Sequence, residues 1–236
     1  MITRETNDFS SVDFNSGEVI LIDKPFGWTS FKVVHTIRKI TGAKKVGHAG
    51  TLDPLATGLL ILCTGKKTKE ITKYQQAEKT YIGIISLGKK TPSMDLETEV
   101  IEEKPFNGIA KSDIEKVKDS FLGEILQTPP MYSALKVKGK PLYNLARKGK
   151  TIKRLPRKVQ VFKFLIKNVS LPEVEFEITC SKGTYIRVIA NDFGEKLGTV
   201  AVLSSLRRVR IGDYLVKNAF KVEDFERILQ NRNKIG

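Results

Sequence analysis

Residues 47–63 read Gly47-His48-Ala49-Gly50-Thr51-Leu52-Asp53-Pro54-Leu55-Ala56-Thr57-Gly58-Leu59-Leu60-Ile61-Leu62-Cys63. The second part is a continuous apolar run of strand length, which predicts a buried strand from Gly58 to Cys63. The first part is a loop, with three glycines, a proline, a histidine and an aspartate in twelve residues. Asp53 precedes a proline, so its backbone is held in an extended or turn conformation. Two uses of such a loop are open on composition alone. Asp53 caps a turn and His48 is a satisfied polar residue. Alternatively, a rigid loop presents one carboxylate at a cleft as a nucleophile or base.

Outward from this loop the chain alternates between helix and strand patterns. Upstream, Glu18 to Asp23 predicts a buried strand that stops at Lys24-Pro25. Thr29 or Ser30 caps a helix with Phe31, Val34, Ile37 and Ile40 at helical spacing, ended by Gly42. Downstream, Lys66 to Gln76 reads as a polar helix, Thr80 to Leu87 as a strand, and Ser112 to Leu126 as an amphipathic helix. A short helix is expected from Pro141 to Lys148. Val159 to Val169 and Val174 to Cys180 form a hairpin around Ser170-Leu171-Pro172. A helix over Thr184 to Leu197, a strand over Val200 to Ile211 and a helix over Val222 to Gln230 complete the series. Several strands follow one another without strict alternation with helices. The expected class is therefore α+β, with a mixed, mainly antiparallel central sheet and flanking helices.

The 236 residues carry 41 Lys or Arg against 26 Asp or Glu, a net charge of +15. From Ile125 to Pro172 there is no acid at all, while nine Lys and three Arg fall between Lys136 and Lys167. That window supplies +12 of the +15. Tyr132 and Tyr143 are interleaved with the charges, and Pro141, Gly139 and Gly149 punctuate them. Such a stretch suits an RNA-contacting arm. No apolar run is long enough for a membrane span. Residues 1–16 are polar and lack the apolar core of a signal peptide, so they are expected to be a tail on a cytoplasmic protein. Cys63 and Cys180 sit in apolar contexts and read as reduced core thiols; two Cys and two His so dispersed make no zinc site.

The Gly47–Gly58 loop resembles the catalytic loop of the TruB family of tRNA pseudouridine synthases. Asp23-Lys24-Pro25-Phe26-Gly27-Trp28-Thr29-Ser30 resembles the family's N-terminal motif, and Lys79-Thr80-Tyr81 its second. Thr128-Pro129-Pro130-Met131-Tyr132-Ser133-Ala134-Leu135-Lys136, with Tyr143 and Ala146-Arg147, resembles the insertion that these enzymes place against the tRNA elbow. Cys180-Ser181-Lys182-Gly183-Thr184-Tyr185-Ile186-Arg187 and Leu206-Arg207-Arg208 resemble the remaining two motifs. The six lie in order from about Glu18 to Tyr214.

The resemblance implies a pseudouridine synthase fold and an isomerase that needs no metal or cofactor. Its substrate would be uridine 55 in the T-loop of tRNA, flipped out before reaction. Asp53 takes the position of the essential aspartate, which attacks the sugar or the base, and Arg187 that of the arginine paired with it. Tyr81 matches the tyrosine that stacks on the flipped base. Tyr185 and Leu206 match residues lining the uracil pocket, and His48 the loop histidine that contacts RNA. Lys24 and Lys66, with Lys136, Lys138, Lys140, Arg147 and Arg154 of the insertion, are expected at the tRNA backbone. Residues 17–214 would form the catalytic domain, with the insertion at about 125–158. The 22 residues from Leu215 to Gly236 would be a short helix and tail, too short for the C-terminal PUA-type domain of many relatives. The enzyme is expected to be a monomer with tRNA as its partner, and no membrane.

Two alternatives stand beside this one. The catalytic subunit of a guide-RNA particle shares the Asp53 and Tyr81 motifs, but the Thr128–Arg154 insertion resembles the stand-alone branch. A non-catalytic RNA-binding protein leaves the Asp53 loop unexplained. A phosphate-binding loop ending at Gly149-Lys150-Thr151 is excluded, because Asn144 stands where its first glycine belongs.

Overall fold

A computed structural model describes residues 1–137 and 139–235, and of Lys140 and residues 232–235 the backbone only. The first elements are β1 (Val19–Lys24), α1 (Ser30–Thr41), β2 (Val46–His48), β3 (Thr57–Thr64), a 3-10 turn (Gly65–Glu70) and α2 (Ile71–Gln76). Then come β4 (Lys79–Leu87), β5 (Lys89–Lys90), β6 (Glu102–Glu103), α3 (Lys111–Asp119) and β7 (Gly123–Gln127). The basic stretch holds β8 (Lys136–Val137), β9 (Lys140–Pro141) and α4 (Leu142–Ala146). β10 (Arg157–Ser170), β11 (Glu173–Cys180), α5 (Ile186–Lys196), β12 (Ala201–Ile211), β13 (Tyr214–Leu215), β14 (Phe220–Lys221) and α6 (Val222–Ile235) follow. The chain divides into two compact units, residues 1–80 with 207–236, and residues 81–206.

In the first unit the strands run β14-β1-β3-β12, with β2 added to β3 and β13 to β12. β1 and β3 are antiparallel, from Val19 opposite Cys63 to Lys24 opposite Gly58. β12 lies parallel to β3, with Arg207 opposite Thr57 and Arg208 opposite Gly58. The apolar run of β3 is explained by burial on both faces. Ile20, Ile22, Leu60 and Leu62 pack with Val33 and Ile37 of α1, Phe220 and Phe225. Val19, Leu21, Leu59, Ile61 and Cys63 pack with Ala49, Tyr74 and Ile211. Thr29 caps α1 by accepting from the Lys32 amide, and Gly42, at φ +64°, ends it.

Both expected tails are part of this core. Ile2 bridges Ile20, and the Phe9 and Phe14 rings meet Phe225. A mostly polar segment is thus pinned by three apolar anchors. At the other end, α6 runs to Ile235 and buries Phe225 and Leu229.

In the second unit the order is β12-β4-β11-β10-β7. The β10–β11 hairpin is antiparallel, as is β10 with β7. Its core is aromatic, with the Phe121, Phe164, Phe176 and Phe193 rings in mutual contact. The helix expected over Ser112–Leu126 stops at Asp119. Gly123 then adopts φ +91°, and Ile125 pairs with Val159 in an edge strand. The architecture is α+β with a mixed sheet, and antiparallel pairs outnumber parallel ones among the described pairings.

Candidate active site

The Gly47–Gly58 loop is tied down along its length. The Ala49 amide donates to the Ile61 carbonyl at 2.9 Å. The buried Ser30 hydroxyl, in the first turn of α1, accepts from the Leu52 amide at 2.9 Å and donates to the Leu52 carbonyl at 3.1 Å. Asp53 opens a turn in which the Ala56 amide returns to its carbonyl. The Pro54 carbonyl accepts from the Gly27 amide at 2.9 Å and from Lys24 Nζ at 3.2 Å. Leu52 and Ala56 are buried on either side of the half-buried Asp53. A carboxylate on such a segment is presented with little backbone freedom left to lose.

Two buried cations do much of the holding. Lys24 is wholly buried, and its ammonium donates to the Pro25, Trp28 and Pro54 carbonyls at 3.0, 2.6 and 3.2 Å. Burial pulls its pKa down to about 8, with the Asp53 carboxylate opposing the fall and Arg208 adding to it. Lys24 therefore serves the protein's own carbonyls and is not available to tRNA phosphates, correcting the expectation from sequence. Arg208 is 1% exposed and donates from Nε to the Leu59 carbonyl at 2.8 Å and from Nη2 to the Gly50 carbonyl at 3.1 Å. Gly58 sits opposite Arg208 at φ +105°, where a Cβ would fall on the Arg208 main chain. Only glycine lets the two strands approach there.

Arg207, one residue earlier, faces the other way, as strand geometry requires. It makes a two-pronged pair with Asp23, at 2.6 and 3.0 Å, and donates to the Thr57 hydroxyl at 3.3 Å. Consecutive arginines thus fix the N-terminal motif and the loop from opposite faces of one strand. His48 ends β2 with its ring edge-on to Phe31. Its Nδ1 is buried with no hydrogen-bond partner among the described residues. Burial, seconded by the Arg208 charge, lowers its pKa, while the Gly50 carbonyl works against this. His48 is thus favoured neutral. Lys66 is exposed on the 3-10 turn.

In the second unit, Arg187 lies in the first turn of α5 and is 4% exposed. It donates from Nη1 to the Ser93 carbonyl at 2.9 Å and from Nη2 to the Tyr132 carbonyl at 2.8 Å; Asp95 Oδ2 lies 3.5 Å from its Nε. Asp95 is fixed in turn by a knot of hydroxyls. Its carbonyl accepts from Thr91 Oγ1 at 2.6 Å and Ser93 Oγ at 3.1 Å, and its side chain accepts from the Glu97 amide at 3.0 Å. Tyr185 is half-buried at the N-cap of α5. Tyr81 is buried on β4 and Leu206 half-buried on β12, neighbouring strands of this unit.

The basic stretch is less uniform than its sequence. Lys158 on β10 pairs with Glu124 at 2.8 Å, Lys163 with Glu177 at 2.9 Å, and Lys167 with Glu177 at 3.8 Å. Strand pairing brings in acids from outside the acid-free window, so the uncompensated charge narrows to the insertion proper. There Lys136, Lys148 and Lys150 are exposed. Arg147 is exposed, beside the Tyr143 ring, and pairs with Glu97 at 2.8 Å. Arg154 is half-buried, and its Nε lacks a hydrogen-bond partner among the described residues. Lys138 and the Lys140 side chain lie outside the described residues. Cys63 and Cys180 are buried thiols, and burial lifts Cys63 to about 11.

Sequence reasoning missed Asp95, Ser93, Gln127 and the inward role of Arg208. Arg208 did carry a signal, as an arginine within an apolar strand pattern. Among the described residues no cluster of His, Cys, Asp and Glu is arranged to hold a metal ion. No described helix is long and apolar enough to cross a membrane.

Comparison with known proteins bears on this geometry. Residues 38–186 match the TruB family pseudouridylate synthase N-terminal domain. The chain is 46% identical over 225 residues to the tRNA pseudouridine synthase B of Flavobacterium johnsoniae, covering 92% of this chain and 98% of that one. It is 53% identical over 213 residues to the enzyme of that name from Chloroherpeton thalassium, covering 88% of each. Among solved structures, a chain of a Cbf5-Nop10-Gar1 complex superposes with a TM-score of 0.71 at 29% identity, covering 91% of this chain and 54% of that one. A chain of an H/ACA RNP bound to a substrate RNA containing 2'-deoxyuridine gives 0.70 at 26%, covering 94% and 57%. This chain therefore spans little more than half the length of those solved chains. With a family match over most of its length and near-complete relatives at about half identity, the chain belongs to the TruB family of pseudouridylate synthases.

Proposed function

We infer that this protein isomerises uridine to pseudouridine in tRNA, at position 55 of the T-loop, with Asp53 as nucleophile. The observation that carries the reading is the Asp53 loop. Its main chain is tied at Gly50, Leu52 and Pro54 by side chains distant in sequence, within a chain so similar to tRNA pseudouridine synthases B. In the reaction the C1′–N1 bond breaks, the base turns, a C1′–C5 bond forms, and the proton lost from C5 is balanced by one gained at N1. Asp53 supplies the transient bond, to ribose or to base. Its loop costs little to order, because ordering is done when the protein folds.

The base must leave its stack to reach the loop, at a cost of a few kcal/mol. Stacking on Tyr81 in a pocket lined by Tyr185 and Leu206 offsets part of that, at about 1–3 kcal/mol per stacked base. A neutral His48 beside the loop suits contact with RNA through hydrogen bonds. Arg187, which donates to the Ser93 and Tyr132 carbonyls, takes the role of the arginine that the family pairs with its aspartate. The exposed lysines of the insertion take the phosphates of the T-arm.

The test uses purified protein and its Asp53→Asn variant with an unmodified tRNA transcript in EDTA, scoring pseudouridine at position 55. The reading requires product with the first, none with the second, and no effect of EDTA. Activity only with an added guide RNA would replace it with the guide-RNA particle. Binding without product in either protein would make it a non-catalytic RNA-binding protein.

A further inference from the structure

Gln127 is the last residue of β7, at the root of the insertion. It is 2% exposed. Both ends of its amide engage the main chain of one residue. Its Oε1 accepts from the Tyr185 amide at 2.9 Å, and its Nε2 donates to the Tyr185 carbonyl at 3.2 Å. A side chain that satisfies both main-chain groups of a partner fixes that residue's plane as well as its place. Tyr185 is the N-cap of α5, where amides have no intrahelical partner and where side-chain capping is absent. Gln127 thus supplies from a neighbouring strand a restraint the helix start lacks.

The geometry closes into a ring. From Tyr185 the chain passes to Arg187, whose Nη2 donates to the Tyr132 carbonyl. Tyr132 is five residues beyond Gln127. The root of the insertion, Gln127 to Tyr132, is therefore pinned at both ends to the first turn of α5. Beyond it, the Ser133 carbonyl accepts from the Tyr143 amide and the Leu135 carbonyl from the Leu142 amide, which seats α4 on the same root. On its other side the ring reaches Ser93 through Arg187, and Glu97 of that segment pairs with Arg147 at the end of α4.

We propose that Gln127 is a positioning residue for the reaction, holding the start of α5, and with it Tyr185 and Arg187, in register with the root of the tRNA-binding insertion. The proposal rests on the functional reading above. It assigns Gln127 no contact with substrate. Its effect passes through the Tyr185 main chain to the guanidinium two residues on.

The variant Gln127→Met keeps length and bulk but loses both hydrogen bonds; Gln127→Glu keeps the acceptor and loses the donor. Single-turnover pseudouridine formation is measured at saturating tRNA transcript, with tRNA affinity and amide exchange at Tyr185 measured separately. For Gln127→Met the expected result is a rate at least about tenfold lower, full amplitude, and an affinity within about threefold of wild type. Gln127→Glu falls between the two, since one of the two bonds survives. The Tyr185 amide, protected in the wild type without RNA, exchanges at least about tenfold faster in Gln127→Met. An unchanged rate in both variants overturns the proposal. So does a lower amplitude at wild-type rate, the mark of a misfolded fraction, or a rate and an affinity that fall together. Wild-type protein inactive on tRNA would instead sink the functional reading, and the Tyr185 exchange would still decide whether the clasp exists.

Discussion

Lys24 and Arg208 in the first unit, and Lys136, Lys148 and Lys150 in the second, put the same chemistry to opposite uses. The first pair is buried and spends its donors on five main-chain carbonyls. The second set is exposed on the insertion. A buried cation is stable only when its donors are satisfied, so its partners become fixed points of the fold. An exposed cation keeps its water and exchanges it for phosphate when RNA arrives. Net charge counts both kinds alike, yet only the second is exposed to meet a polyanion.

The comparison can be broken by removing each kind. Arg208→Met should have the largest effect, because it leaves the Leu59 and Gly50 carbonyls buried without their donor. A loss of about 3 kcal/mol or more is expected in chemical denaturation, with activity lost as the loop slackens. Lys24→Met should cost less, since burial already disfavours the charge it removes, as the fall of its pKa to about 8 shows.

Lys24 also gives a signature in pH. Its folded pKa of about 8 lies below the ordinary 10.5. Between those values the unfolded chain binds the proton and the folded one does not, so this group makes stability rise with pH. That contribution is complete above pH 10.5 and lost as pH falls through 8. Cys63, raised from 9.0 to about 11, acts with the opposite sign over an overlapping range. The measurement is therefore the difference in unfolding free energy between wild type and Lys24→Met. It should shift in favour of wild type from pH 8 to 10.5; a flat difference would remove Lys24 from the buried class.

Replacing Lys136, Lys148 and Lys150 together with serine should leave stability and turnover at saturation unchanged. The slope of log affinity against log salt should flatten by roughly 0.7–0.9 per lost phosphate contact. An unchanged slope would mean that this face meets no RNA. The smallest effect belongs to Arg147→Ala. Its pair with Glu97 is exposed, so stability should move by about 0.5 kcal/mol or less. A larger loss would mean that the pair braces the 91–98 segment beneath Arg187.

Local features were legible in the sequence where local physics decides them. The Thr29 and Gly42 caps, the β10–β11 hairpin and the apolar β3 all announce themselves within a few residues. Asp53, Arg187 and Tyr81 were singled out by motif, not by spacing. The helix read across Ser112–Leu126 went wrong because Ile125 continues a helical pattern after Gly123 has turned the chain into an edge strand. Residues 1–16 were read as a tail because mean polarity conceals three anchors. The partners of Lys24, Arg208 and Gln127 lie up to 149 and 158 residues away, and they are main-chain atoms. A carbonyl has no letter in the sequence, so a side chain that serves carbonyls leaves only an improbable burial to be noticed.

Arg207 and Arg208 carry a consequence for assembly. Because neighbours on a strand point to opposite faces, a slip of β12 by one residue would exchange them. The guanidinium that meets Asp23 would be driven among the loop carbonyls, and the other would face a carboxylate from the wrong side. Gly58 would meet a different main chain at its point of closest approach. A misthreaded β12 would therefore lose the Asp23 pair and the loop's carbonyl donors together. The register of one strand thus acts as a checkpoint on which both sets of contacts depend at once.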